Sequence, residues 1–567
     1  MRRWILFISA CAFCIGAVLA AYRSLAPEEP SLSRYAPSGA LLYLEAKDFS
    51  GLLVDWNGSR QKELWLSSAD YQAFSRSRLY LRLKDASDEF AAAAGLPADM
   101  NFVSQVAGSQ SGLALYDIGK LQFLYITKLD SNKAEQTALL QSRAKFETRN
   151  AGGATFYLRQ DAQSGREVAF ATSGGYLLLA TREDLMAGAL ELVAGNKNPT
   201  IESESWWTRS LGAAGKPGDL RMVLNLEKIV PSPYFRSYWI QKNITDMKAY
   251  SAAVSDLFLS GSEYREERVL VKKAASSGDT PSTETGEAVA VLSRLVPPDA
   301  GAFQINSNPS ADACLKLLET KLLAPHAGPG VASKIAPQVQ LSSGETGGSS
   351  DMETRIDQPP LKIQSPSASS EALRELFAQN SVQASMNFQN TETDKDGVFV
   401  RFRTAVAFLG ISDWNEAAVR SAIADFVRPI LTASELGVSW QAKSGHMELD
   451  GLWPLSGSVR GKYLFLSDDP KLLDEITARL GQKTNTAPAV LIAGFNHAGE
   501  RQSLARLTNL LDNQSSAAIG EPGRTPQFFS DNIGSLSAVL AGVSSEKIVV
   551  RDAGDHVMQT VTYEWRD

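Results

Sequence analysis

Apolar positions recur along the chain in two rhythms. Runs with every second residue apolar, or wholly apolar and short, read as strands: residues 112–116 with 121–128, 165–171 with 176–181, 385–388 with 398–408, and 547–551 with 556–565. Tight turns such as Ser173-Gly174-Gly175 and Asp552-Ala553-Gly554-Asp555 join several of these runs directly. Strands joined that way pair antiparallel. Residues 220–226 (LRMVLNL) and 489–495 (AVLIAGF) read as further buried strands. Between the strands, residues 131–143, 182–193, 370–379, 413–431, 470–480 and 500–511 place apolar side chains three and four apart, the spacing of amphipathic helices. Adjoining strands with helices between them predict an α+β fold of mainly antiparallel sheet rather than a doubly wound α/β one.

The pattern also repeats. A proline turn feeds a strand at 37–44 and again at 298–305, and paired strands follow in each case. Tyr176 opens an apolar strand that leads through Thr181 to Leu185, as Tyr463 leads through Asp468 to Leu472. Thr181 and the Asp468–Asp469 pair stand where a side chain would cap the next helix. The order of the matches predicts two tandem, similar lobes at 34–273 and 287–567. Residues 274–286 (AASSGDTPSTETG) form the linker between them, and a Gly/Ser-rich excursion at about 327–370 extends the second lobe.

Residues 4–22 (WILFISACAFCIGAVLAAY) break both rhythms, because all 19 are uncharged. That is long enough to cross a bilayer. Two arginines before it and one after favour a cytoplasmic N-terminus with the rest translocated. Residues 1–23 therefore read as a signal-anchor and 24–33 as a tether. The protein is expected in the inner membrane, single-pass, with its bulk on the periplasmic side; a cleaved signal after Ala20 is the alternative. Residues 8–11 resemble a lipobox, but the apolar run before Cys11 is short and continues past it.

Composition changes the picture in two respects. Of three cysteines, Cys11 and Cys14 lie in the apolar segment, so Cys314 alone remains and reads as a buried thiol on a helix. Setting residues 1–23 aside removes three arginines and no acidic residue, which moves the net charge from −7 to −10. An acidic exported region without a Lys/Arg-rich run argues against nucleic acid as a partner.

Catalytic motifs are missing from the expected places. Gly108–Gly112 has the glycine spacing of a nucleophile elbow, but Gln110 stands where serine is needed. Ser142-Arg143-Ala144-Lys145 and Ser544-Ser545-Glu546-Lys547 fit Ser-x-x-Lys without its companion motifs, and residues 212–217 are too short for a phosphate loop. His326, His446, His497 and His556 are scattered, so no metal ligand set, cofactor site or catalytic residue is predicted. The densest aromatic region holds Trp206, Trp207, Tyr234, Phe235 and Trp239. Those five are the candidate binding surface, with core packing as the competing explanation.

The Pro-x-x-Ala opening, the strand at 112–117 and the Tyr-Leu-Leu-Leu strand before Thr181 resemble a family of uncharacterised, membrane-anchored bacterial proteins known only as a domain of unknown function. The resemblance implies an extracytoplasmic location and no assigned activity.

Three functions remain: a membrane-anchored binding protein for an envelope partner or an apolar ligand, an envelope scaffold without ligand, and a hydrolase with a dispersed site. A cleft between the lobes lined by Trp206, Trp207 and Tyr234 would favour ligand binding, and a solid junction would leave the scaffold.

Overall fold

The computed structural model describes residues 30–233, 247–273, 283–323, 368–393, 400–431, 439–443, 445–450, 455–482, 486–501 and 542–565. Among the described residues, ten strands precede residue 273: β1 (Leu42–Ala46), β2 (Ser111–Asp117), β3 (Gln122–Lys128), β4 (Glu147–Ala151), β5 (Ala154–Gln160), β6 (Glu167–Ser173), β7 (Tyr176–Ala180), β8 (Leu220–Leu224), β9 (Tyr250–Leu259) and β10 (Glu263–Lys272). Ten follow: β11 (Ala302–Ser307), β12 (Ala384–Thr393), β13 (Val400–Leu409), β14 (Ser439–Ala442), β15 (Met447–Asp450), β16 (Leu455–Arg460), β17 (Tyr463–Ser467), β18 (Leu491–Phe495), β19 (Val543–Asp552) and β20 (His556–Trp565).

All twenty belong to one sheet, and every pairing is antiparallel, so the fold is α+β as the alternation predicts. Its middle is the contact between β10 and β20. Outward from there, one side runs β9, β8, β1, β2, β3, β7, β6, β5, β4. The other runs β19, β18, β11, β12, β13, β17, β16, β15, β14. The two orders are the same.

Period-two alternation explains how the sheet is covered on both faces. In β7, Leu178 and Ala180 enter one core while Leu177 and Leu179 enter another on the opposite face. In β17, Phe465 enters one core while Leu464 and Leu466 enter another. Helices Glu183–Val193 and Pro470–Ala478, which follow those strands, bury Leu185 and Leu472 against the sheet. Helices Arg78–Ala94 and Met100–Val106 cover the opposite face of the first half through Phe90 and Phe102, and helix Glu416–Leu431 does so in the second through Ile423 and Phe426.

Several sequence expectations shift. The predicted helix at 131–143 is two short ones, Ser131–Gln136 and Ala138–Gln141, because Thr137 ends the first and caps the second. Thr181 caps nothing: its hydroxyl accepts the Phe123 amide at 2.8 Å instead. Of the aspartate pair, Asp469 is the cap, accepting from Lys471 and Leu472, while Asp468 accepts the Thr404 amide at 2.7 Å. The tether ends sooner than residue 33, since Leu32–Tyr35 form a 3-10 turn within the fold. The linker at 274–286 is helical from Thr283, where helix Thr283–Ser293 begins. The excursion at about 327–370 yields to helix Ala368–Gln379, and residues 324–367 lie outside the described residues, as does the apolar stretch at 4–22. Among the described residues no helix is long and apolar enough to cross a membrane.

Candidate functional site

The aromatic region divides. Trp206 and Trp207 occupy the first turn of helix Ser205–Ala213 and are each 4% exposed. They meet edge to face at 5.7 Å, and Trp207 packs the same way on Tyr43 of β1 at 5.3 Å. The Trp206 indole donates to the Glu204 carboxylate at 3.0 Å. Their faces are therefore spent in the first core, and they line no surface among the described residues. Tyr234, Phe235 and Trp239 lie outside the described residues. Core packing, the competing explanation, accounts for the two tryptophans.

Among the described residues, a polar cluster gathers around Glu45 and residues 31–33. Glu45, near the end of β1, accepts from Tyr43 Oη at 2.8 Å, Gln110 Nε2 at 2.7 Å, Ser31 Oγ at 2.5 Å and the Leu32 amide at 3.3 Å. Ser33 Oγ donates to Glu202 at 2.5 Å. Burial, with the neighbouring Glu45 charge added, pushes the Tyr43 phenol well above its usual range, so it stays a neutral donor to the carboxylate. The Ser31 and Ser33 hydroxyls spend their protons on the Glu45 and Glu202 carboxylates, which ties the segment down. Chemically the cluster is a clasp, holding residues 31–33 to the sheet. Sequence pattern missed it, because Glu45 reads as one more polar residue of an alternating strand.

The two ends of the central contact differ. At one, Lys272 Nζ bonds both oxygens of Asp552 at 2.8 and 2.9 Å. At the other, Tyr264 meets Trp565 edge to face at 5.8 Å. Among the described residues, no titratable cluster with catalytic geometry accompanies either end. His446 lies between Glu448 and Asp474, at 3.2 and 3.3 Å, and His556 sits 2.7 Å from Asp555. His326 lies outside the described residues. No group of three or more metal-ligating side chains occurs among the described residues. Cys314 is fully buried on helix Ala311–Leu317, and burial pushes its thiol up to about 12, which leaves it unreactive. A small cavity under helix Glu416–Leu431, lined by Ile423, Trp440 and Leu466 among others, encloses about 20 Å³, room for little more than a water.

A feature without a sequence-level expectation precedes helix Met100–Val106. Helices Phe49–Gly58 and Arg60–Ser67 have no buried residue. With Ala69–Phe74 and the start of Arg78–Ala94 they form an arm held together by its own aromatic knot of Trp65, Tyr71, Phe74 and Tyr80. Val54 is 71% exposed and Trp56 44%.

Comparison with known proteins adds no assignment. No family model matches the chain, and no curated protein matches it. Among solved structures, crystal forms I and III of TP0453 align with 47% of this chain and with 87% and 88% of theirs, at 11% identity. Their TM-score of 0.24 is below that of a shared fold.

Proposed function

We propose that the chain is an internally duplicated, membrane-anchored extracytoplasmic scaffold, whose two similar lobes are fused into one sheet. The observation that carries this reading is the β10–β20 contact, in which nine residue pairs run from Glu263↔Glu564 to Val271↔His556. A junction made of backbone hydrogen bonds is solid, and the tryptophans that would have lined a ligand cleft lie in the core. The duplication draws support from the identical strand order on the two sides. The membrane-anchored, periplasmic placement rests on residues 1–23. An enzymatic role has no support from the polar clusters, which bond backbone and lead-in residues rather than converge on an open site.

The scaffold reading is tested by native mass spectrometry of the full chain released gently from membranes, together with in-membrane cross-linking. The scaffold predicts a ligand-free mass and a reproducible envelope-protein cross-link. A lipid-sized adduct at one-to-one stoichiometry would return the apolar-ligand reading.

A further inference from the structure

The duplicated strand order makes each half a reference for the other. Leu42, Leu224, Ala253, Leu270 and Val557 stand side by side in one row across β1, β8, β9, β10 and β20. The equivalent row is Ala302, Phe495, Glu546, Tyr563 and Tyr264, across β11, β18, β19, β20 and β10. The turns after β8 and β18 correspond as well. The Asn225 and Asn496 amides donate to the carbonyls of Leu41 and Gly301, and each asparagine side chain accepts from the amide three residues on. Leu226 therefore has His497 as its counterpart.

In the first half these positions are apolar. Leu226 and Ala253 are buried in one core, with Leu224 and Leu270 packed against it. Their counterparts to Leu226, Ala253 and Leu270 are His497, Glu546 and Tyr563. The fold does not need polar groups there, as the first half shows, and a largely desolvated carboxylate is costly unless it meets a cation. The Glu546 side chain is 26% exposed, and among the described residues no lysine or arginine pairs with it. His497 Nε2 lies 3.6 Å from its carboxylate and has no hydrogen-bond partner among the described residues. Arg268, further along the same face, is spent on both oxygens of Glu266 at 2.6 Å. Burial and the Glu546 charge push the Tyr563 phenol up, which keeps it a neutral donor to that carboxylate. Aromatic rings flank Glu546 in its row, Phe495 on one side and Tyr563 then the exposed Tyr264 on the other.

A carboxylate short of a cation, set among aromatic faces, is the chemistry that recognises an alkylammonium. We infer that His497, Glu546 and Tyr563 form a site for an alkylammonium group, held on the Glu546 carboxylate beside the rings of Phe495 and Tyr264. A free amine and the lysine side chain of a partner present that group alike. The inference goes beyond the scaffold reading and depends on neither the anchor nor an apolar ligand.

The test titrates the full chain, isotopically labelled at histidine Cε1, with n-butylammonium chloride at neutral pH, against sodium chloride at matched ionic strength. Loss of a signal in His497→Gln assigns the His497 resonance. That resonance should move saturably with the amine and not with sodium, while His446, which also lies between two carboxylates, stays still. Glu546→Gln should weaken the binding by about tenfold or more. Equal movement with sodium, movement shared by His446, or an unchanged response in Glu546→Gln would overturn the inference. The combined variant His497→Leu, Glu546→Ala, Tyr563→Leu installs the first half's residues. It should match or exceed the thermal midpoint of the parent, and should lose the rise in midpoint that the amine gives the parent. A combined variant much less stable than the parent would make the cluster structural and overturn the inference too. Carbodiimide coupling in native membranes separates the sources of the ammonium. A protein adduct that disappears in Glu546→Gln assigns it to a partner's lysine, and saturable butylammonium binding without such an adduct assigns it to a free amine.

Discussion

Ser251 and Ser544 fill the same β-bulge in the two halves of the sheet. Each is skipped in the register of its hairpin: Lys272 pairs with Tyr250 while Val271 pairs with Ala252, and Trp565 pairs with Val543 while Glu564 pairs with Ser545. Each hydroxyl then donates across the hairpin, Ser251 to the Val271 carbonyl at 3.3 Å and Ser544 to the Glu564 carbonyl at 3.1 Å. The displacement along the chain that carries Ser251 onto Ser544 also carries Val271 onto Glu564 and Glu267 onto Thr560. Glu267 and Thr560 are themselves paired in the middle of the β10–β20 contact. A local two-fold therefore passes between them, relating the two hairpins.

Bulges leave one residue out of the ladder, and a side chain that bonds the nearby backbone makes that tolerable. Ser251→Ala and Ser544→Ala should each cost about 0.5–1.5 kcal/mol, and by similar amounts. Amide exchange resolved to each hairpin reads the effect locally. A cost at one serine with none at the other would break the equivalence.

A second equivalence carries a sharper test. Thr181 and Asp468 follow β7 and β17 and satisfy the amides of Phe123 and Thr404 at the starts of the neighbouring strand contacts. Asp468→Ala leaves a buried amide without its acceptor, a loss of about 1–3 kcal/mol. Asp468→Thr, borrowing the first half's solution, should recover most of it. Thermal stability no better for threonine than for alanine would mean that the two sites are held differently.

How much of this the sequence discloses depends on where the physical signal lies. Strands buried on both faces write themselves as Tyr-Leu-Leu-Leu and Tyr-Leu-Phe-Leu, so Tyr176 and Tyr463 are legible as counterparts, and Gly174-Gly175 marks the hairpin before the first. The meeting of β10 with β20 leaves no such mark, because nothing local tells one edge strand which other edge it will find. The arm was missed for a related reason. Leu79, Leu81 and Leu83 alternate as strand residues do, yet they are exposed on the first turns of a helix that buries Phe90 and Ala93 further on. Trp206 and Trp207 show the converse: aromatic density looks alike whether the rings line a surface or fill a core.

Acid should loosen the central contact. Glu266 on β10 is partly desolvated, which raises its pKa, but hydrogen bonds from Arg268 and Ser255 and the Arg268 charge outweigh this and hold it below the usual carboxylate range. A depressed folded-state pKa stabilises the fold above the ordinary glutamate range, and that contribution is lost as pH falls through the depressed value. Arg268→Ala should remove it, costing about 0.5–1 kcal/mol at neutral pH after allowance for the exposure of the arginine, and should leave the variant and parent alike in strong acid. Thermal midpoints followed from neutral pH into strong acid, through the depressed value rather than only the ordinary glutamate range, check the convergence. A gap that persists in acid would mean that Arg268 acts through packing.

The pair on the two-fold can be turned into a charge test of the joint. Glu267 lies directly across from Thr560, with Arg265 close by at 3.5 Å from the Glu267 carboxylate. Thr560→Glu places like charges at facing positions, which costs about 0.2–1 kcal/mol in an antiparallel pair. Each carboxylate then raises the pKa of the other, so the penalty is present above the ordinary glutamate range and fades as pH falls and both take up protons. Thr560→Lys creates the opposite pair at the same position and gives up the same threonine, so the difference between the two variants isolates the charge. Exchange of the β10 and β20 amides at neutral pH should be faster in the glutamate variant than in the lysine variant, and the two should converge below about pH 4. Equal exchange at neutral pH would mean that residues 267 and 560 do not face each other, and the two-fold would have to be placed elsewhere.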